Sequence, residues 1–113
     1  MYTIENIANI LQAESRLAKR DMEILQLLTD SRRIIFPETT LFFAIITQQR
    51  DAHMFIEEIY ERGVRNFVVR KGFNVAPFKE ANFVFVGDTL TALQILCISP
   101  EAVFISSCCN YRQ

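Results

Sequence analysis

The chain lacks a long apolar run. No stretch approaches the roughly 18 apolar residues that a membrane span requires. Its opening, MYTIENIANILQAESR, has no basic start followed by an unbroken apolar stretch, so it does not read as a secretory signal. A cytoplasmic location without membrane attachment is therefore expected. Glycine is equally sparse. Gly63, Gly72 and Gly87 are the only three, and they build neither a GxxxxGK[ST] loop nor a GxGxxG turn, the two usual glycine-rich phosphate cradles. The single histidine, His53, has no nearby cysteine or serine nucleophile, so no catalytic triad and no catalytic residue is expected. The three cysteines, Cys97, Cys108 and Cys109, crowd into the last 17 residues. An odd count with an adjacent pair makes a poor disulfide framework, and without a CxxC pair no metal site is expected. Nor is there an excess of positive charge. Twelve Lys and Arg stand against 13 Asp and Glu, a net charge of −1, which disfavours a nucleic-acid partner held through its phosphates.

What remains is a globular composition. The 113 residues are 50% hydrophobic and 22% charged, too apolar for a disordered segment and the size of one domain. Ile4, Ile7, Ala8 and Leu11 fall at helical spacing, and Thr3 is placed to cap that helix. The polar stretch from Gln12 to Asp21 has no strong period. MEILQLL, residues 22–28, reads as a strand, with a helix as the alternative. After the turn Thr29-Asp30-Ser31-Arg32-Arg33, the run from Thr40 to Thr47 is continuously apolar, as in a strand buried on both faces of a parallel sheet. A helix follows from Asp51 or His53, with Phe55, Ile56, Ile59 and Tyr60 inward and Gly63 at its C-cap. NFVVR at 66–70 and NFVFV at 82–86 read as strands, with the 72–81 loop between them. Gly87-Asp88 then turns into a helix through Thr89, Ala92, Leu93 and Leu96. Strands alternating with helices imply an α/β fold, a small mainly parallel sheet flanked by helices.

Three polar segments follow probable strands, where ligands bind in α/β sheets. In Asp30-Ser31-Arg32, Ser31 suits a phosphate or a base carbonyl and Arg32 an anionic charge; an ordinary turn is the alternative. In the 48–53 loop, His53 suits hydrogen bonding to a ligand, unless Asp51 only caps the helix and His53 is a surface residue. Asp88-Thr89 likewise reads as a site or as an N-cap.

The order of these segments resembles the N-terminal domain of the Mur ligases, closest to the D-alanyl-D-alanine-adding members. The residues that carry the likeness are Thr29-Asp30-Ser31-Arg32, Pro37, Leu41-Phe42-Phe43-Ala44, Asp51-Ala52-His53, Gly63, Phe67-Val68-Val69 and Val86-Gly87-Asp88-Thr89-Leu90-Thr91-Ala92-Leu93. Ala52, Glu38 and Thr47 stand where the family usually has glycine, whose backbone reaches angles that these residues resist. The resemblance covers residues 1–96. It implies a domain that holds the uridine diphosphate end of a UDP-N-acetylmuramoyl-peptide during peptidoglycan synthesis. ATP and magnesium would belong to a separate central domain, with a third domain receiving the incoming dipeptide. By carry-over, Ser31 and Arg32 are expected to contact the nucleotide, with Asp51, His53, Asp88 and Thr89 as further contacts. Without a P-loop the chain alone is expected to be inactive as a ligase. The alternative is a non-enzymatic regulatory or interaction domain with the same fold.

Residues 97–113 do not continue the resemblance. A ligase would pass through a strand into a P-loop resembling ITGSNGKT. With suitably chosen codons, the bases encoding Ser99 to Gln113 and a stop can be read in another frame as YHRKQFSYPVVAITGSN. The tail is therefore expected to be a frame-shift product, with Phe104 and Ile105 packing loosely on the sheet or forming a makeshift strand. Sequencing the gene checks this. An intact P-loop frame should follow directly downstream, and unrelated DNA there would remove the idea.

Overall fold

The structure is a computed structural model, and it describes residues 2–29, 34, 36–46, 48 and 51–98. Asp30, Ser31, Arg32, Thr47, Phe104 and Ile105 lie outside the described residues. The chain opens with β1 (Tyr2–Thr3) and α1 (Ile4–Leu11). Thr3 caps α1: its hydroxyl accepts the Asn6 N–H, and the Asn6 side chain accepts the Thr3 N–H in return. Then come β2 (Glu14–Arg16), β3 (Glu23–Ile24), β4 (Gln26–Leu28) and, after a 3-10 turn at Pro37–Thr39, β5 (Thr40–Phe43). A second 3-10 turn, Ala52–Phe55, leads into α2 (Ile56–Glu61), followed by β6 (Asn66–Arg70), β7 (Asn82–Val86) and α3 (Thr89–Ile98).

Among the described residues the main sheet has five strands in the order β2-β7-β6-β5-β4. β4, β5, β6 and β7 are parallel, and β2 is antiparallel to β7. The α/β expectation therefore holds. Residues 22–28 form short strands rather than a helix, with β3 pairing to β1 in a separate two-stranded ribbon. The strand expected over 40–47 ends at Phe43, where its pairing with β6 stops at Phe43↔Val68. The helix expected from 51 or 53 begins as a 3-10 turn and becomes α-helical only at Ile56.

Side-chain alternation along the strands builds two cores. Leu41, Phe43, Val68 and Val84 face α1 and α3, meeting Ile4, Ile7, Leu93 and Leu96. Phe42, Phe67, Val69 and Phe83 face the other way and pack on Ile56 and Ile59 of α2. Phe67 and Phe83 stack there with ring centroids 5.2 Å apart. Burial on both faces explains why these runs are continuously apolar instead of alternating.

At the amino ends of the strands, buried Asn82 ties in the segment after β2. It accepts the Lys19 N–H and donates to the Lys19 carbonyl and to Asn66 Oδ1. Of the positions where the resemblance expects glycine, Glu38 and Ala52 sit in the two 3-10 turns. Neither has a positive φ, so neither needs glycine here.

Gly63 does need to be glycine. It ends α2 at φ +111°, and a Cβ there would lie 3.3 Å from two carbons of the Pro37 ring. Gly63→Ala is therefore expected to destabilise the fold by about 1 kcal/mol or more, measured as a lower midpoint in urea; an unchanged midpoint would contradict this account of the turn.

Candidate functional site

Four strands running in one direction deliver their carboxyl ends to one edge of the sheet, and the described candidates Asp51, His53, Asp88 and Thr89 lie in connections at that edge. β4 ends at Leu28 and Thr29 follows it at this edge; Ser31 and Arg32 lie outside the described residues. Asp51 and His53 lie in the connection from β5 to α2, and Asp88 and Thr89 in the connection from β7 to α3. Backbone hydrogen bonds fix the strand ends from which these connections leave. The Ala44 N–H donates to Val68 at 3.0 Å, the Ala52 N–H to Ile45 at 3.0 Å, and the Lys71 N–H to Val86 at 2.9 Å.

Each candidate has a definite place. Asp51 caps its 3-10 turn: Oδ1 accepts the His53 backbone N–H at 2.9 Å and also meets His53 Nδ1 at 2.5 Å. Burial pushes the Asp51 carboxyl up. The hydrogen bonds from the His53 backbone and ring, with the nearby charge of Arg70, outweigh that and hold it below its ordinary 3.8. Asp88 is the cap of α3. One of its oxygens accepts the Leu90 N–H at 3.0 Å and the other the Thr91 hydroxyl at 2.9 Å. Thr89 is enclosed, and its hydroxyl donates to the Ala44 carbonyl at 2.8 Å. It fastens α3 to the end of β5, and its buried side chain offers a ligand no open face.

His53 departs from the surface-residue reading. Its side chain is only 10% exposed. Nε2 accepts the Arg70 backbone N–H at 3.0 Å, and Phe73 lies against the ring at a centroid distance of 5.2 Å. Arg70 and Lys71, which the sequence did not single out, are exposed at the end of β6. A groove of about 410 Å³ lies beside them on the α1 and α3 face, lined by Gln12, Glu14, Lys71, Phe85, Gly87 and Asp88 among others. Among the described residues no three His, Cys, Asp or Glu side chains gather around a point where a metal ion would sit. The sequence holds no P-loop of the kind that cradles the phosphates of ATP. No helix of the described residues is long and apolar enough to cross a membrane.

No protein-family model matches the chain, and no curated protein matches it. Solved structures do. The fold is that of a segment of MurF. A crystal structure of MurF from Acinetobacter baumannii superposes with a TM-score of 0.69 at 24% identity over 84% of this chain. A second structure from that organism, of UDP-N-acetylmuramoylalanyl-D-glutamyl-2,6-diaminopimelate--D-alanyl-D-alanyl ligase, agrees equally well, with a TM-score of 0.69 at 24% identity over 84% of the chain. Another MurF crystal structure gives 0.68 at 23% identity over 85% of the chain. In each case the chain spans 20% of the length of the MurF structure it matches.

The Asp51 contact has a pH signature. A carboxyl held below its unfolded value contributes stability above that value and loses it as the pH falls through the folded one. Asp51→Asn keeps a capping oxygen but loses the charge of a half-exposed side chain, so it should destabilise the chain at neutral pH by less than about 1 kcal/mol. The gap between variant and parent should shrink below about pH 4. Urea unfolding across that range checks it, and a gap that does not narrow at all as the pH falls below 4 would contradict the carboxylate's role.

Proposed function

We propose that this chain is the nucleotide-sugar-holding domain of a Mur ligase of the D-alanyl-D-alanine-adding type. The observation that supports the reading best is the arrival of the end of β4, the 51–53 turn and the 87–89 turn at one sheet edge, within a fold shared with MurF. Loops at the carboxyl ends of parallel strands carry backbone N–H groups that the sheet does not use, which suits a polar, phosphate-bearing ligand.

The ligand in this reading is a UDP-N-acetylmuramoyl-peptide. Ser31 and Arg32 contact its uridine diphosphate end. Asp51 and Asp88 shape the adjoining loops through their caps, and Thr89 locks α3 to β5 beneath them. The work is binding and orientation. Activating a peptide carboxylate as an acyl phosphate requires ATP, and the 113 residues contain no P-loop to hold it. The chain alone therefore neither hydrolyses ATP nor forms the amide bond. A cytoplasmic location goes with this substrate.

Titration of the ¹⁵N-labelled chain with UDP and with UDP-N-acetylmuramoyl-tripeptide tests the proposal. The amides of 30–32 and of the 51–53 turn are expected to shift, with an affinity weakened toward the millimolar range because no neighbouring domain closes over the ligand. Flat spectra at millimolar ligand would reject nucleotide binding and favour a regulatory or interaction domain built on this fold.

A further inference from the structure

The two ring nitrogens of His53 make opposite demands on the charge of the ring. Nδ1 meets Asp51 Oδ1 at 2.5 Å, and Nε2 takes the Arg70 backbone N–H at 3.0 Å. Accepting an N–H requires a lone pair on Nε2, so the ring in this arrangement is neutral and directs its Nδ1 proton at the Asp51 carboxylate. A second proton, taken up on Nε2, leaves the Asp51 contact in place as an ion pair. It also turns Nε2 from acceptor into donor, so that two N–H groups face each other. One contact survives protonation and the other does not.

The two contacts differ in reach as well. Asp51 shares the turn with His53, and its Oδ1 also accepts the His53 backbone N–H at 2.9 Å. Arg70 stands at the end of β6, 17 residues along the chain. The register shows what the long contact replaces. β5 stops pairing with β6 at Phe43↔Val68, whereas β7 continues to Arg70↔Val86. The Arg70 N–H thus lies beyond the last paired residue of β5, and the imidazole stands in for a strand carbonyl. Without it the end of β6 keeps its β7 side, where the Lys71 N–H donates to Val86 at 2.9 Å. The turn keeps its hold on the end of β5, where the Ala52 N–H donates to Ile45 at 3.0 Å.

Charge around the ring is divided in the same way. On its own turn the ring faces the Asp51 carboxylate, which favours the cation. From β6 it faces Arg70, whose backbone N–H and positive charge favour the neutral ring. Phe73, in contact at a centroid distance of 5.2 Å, is uncharged. Glu57 and Glu58 in the first turn of α2, and Lys71 beyond Arg70, point to solvent-exposed positions, and both ring nitrogens are already engaged.

We propose that His53 is a proton-operated latch. Neutral, it ties the 51–53 turn to the end of β6. Protonated, it stays with Asp51 and releases the Arg70 N–H, so acid uncouples the turn from β6 while each remains fastened to its other neighbour in the sheet. This regulation goes beyond the nucleotide-sugar reading, and its test uses no ligand.

The ¹⁵N-labelled full chain is taken from about pH 8 to about pH 5, with protonation followed on the His53 ring signals. A scalar coupling across the N–H···N bond should join the Arg70 amide to His53 Nε2 while the ring is neutral, and should vanish in step with its protonation. Over the same step, hydrogen exchange at Arg70, corrected for its intrinsic dependence on pH, should rise at least about fivefold. Exchange at Lys71, held by Val86, should change by less than about twofold. His53→Gln, which offers the Arg70 N–H an acceptor that does not titrate, should leave corrected exchange at Arg70 flat across the range; the parent's own titration decides the matter if that variant does not fold.

Loss of the coupling together with faster exchange at Arg70 alone upholds the latch. Absence of the coupling at every pH, or exchange at Arg70 unmoved as the ring protonates, overturns it. An equal rise at Lys71 also overturns it, because the change is then a general loosening. A Gln variant that responds to pH as the parent does assigns the response to another group. A ring that gains its proton only as the chain unfolds overturns the proposal too, since no folded, unlatched state then exists.

Discussion

The site depends on one constraint: β4, β5, β6 and β7 run the same way. Parallel pairing sends every departing loop to the same edge, whatever the loops contain. That pairing is maintained by two apolar layers, because strands buried on both faces expose no surface that tolerates a slip of one residue. Moving β6 by one position would exchange Val68 with Phe67 or Val69 between a core lined by Ile4, Ile7 and Leu93 and a core lined by Ile56, Ile59 and Phe83. Register is thus a packing property, and the geometry of the polar edge follows from it.

The polar edge has its own economy. Thr89 and His53 do similar work from opposite sides of the sheet. Each binds a backbone group at a strand end where regular pairing has run out, the Ala44 carbonyl and the Arg70 N–H. Leaving a buried group such as the Ala44 carbonyl unpaired costs about 1–3 kcal/mol. Side chains that satisfy these backbone groups also fasten the helical connections to the sheet, so the loops on which the proposed function rests start from fixed points.

Much of this fold was legible in the sequence. The first helix could be read because four apolar residues share a face and Thr3 precedes them. β6 and β7 matched their runs of Phe and Val residue for residue, because both lie inside the sheet. β2 carried no such signal. Glu14, Ser15 and Arg16 are an edge strand held to β7 by backbone pairing, and an exposed strand needs no apolar pattern. The caps of Asp51 and Asp88 could be read because a cap acts within two or three residues. The burial of Thr89 and His53 could not, since their partners, Ala44 and Arg70, stand 45 and 17 residues away and are backbone groups without a side-chain signature.

A crystal structure of the chain grown with UDP tests the central claim most directly. The account predicts the nucleotide over the carboxyl ends of β4 to β7, with Ser31 on one side of it and the end of β6 on the other. Density for UDP at the opposite edge, or Ser31 and His53 on opposite sides of the molecule, would contradict it.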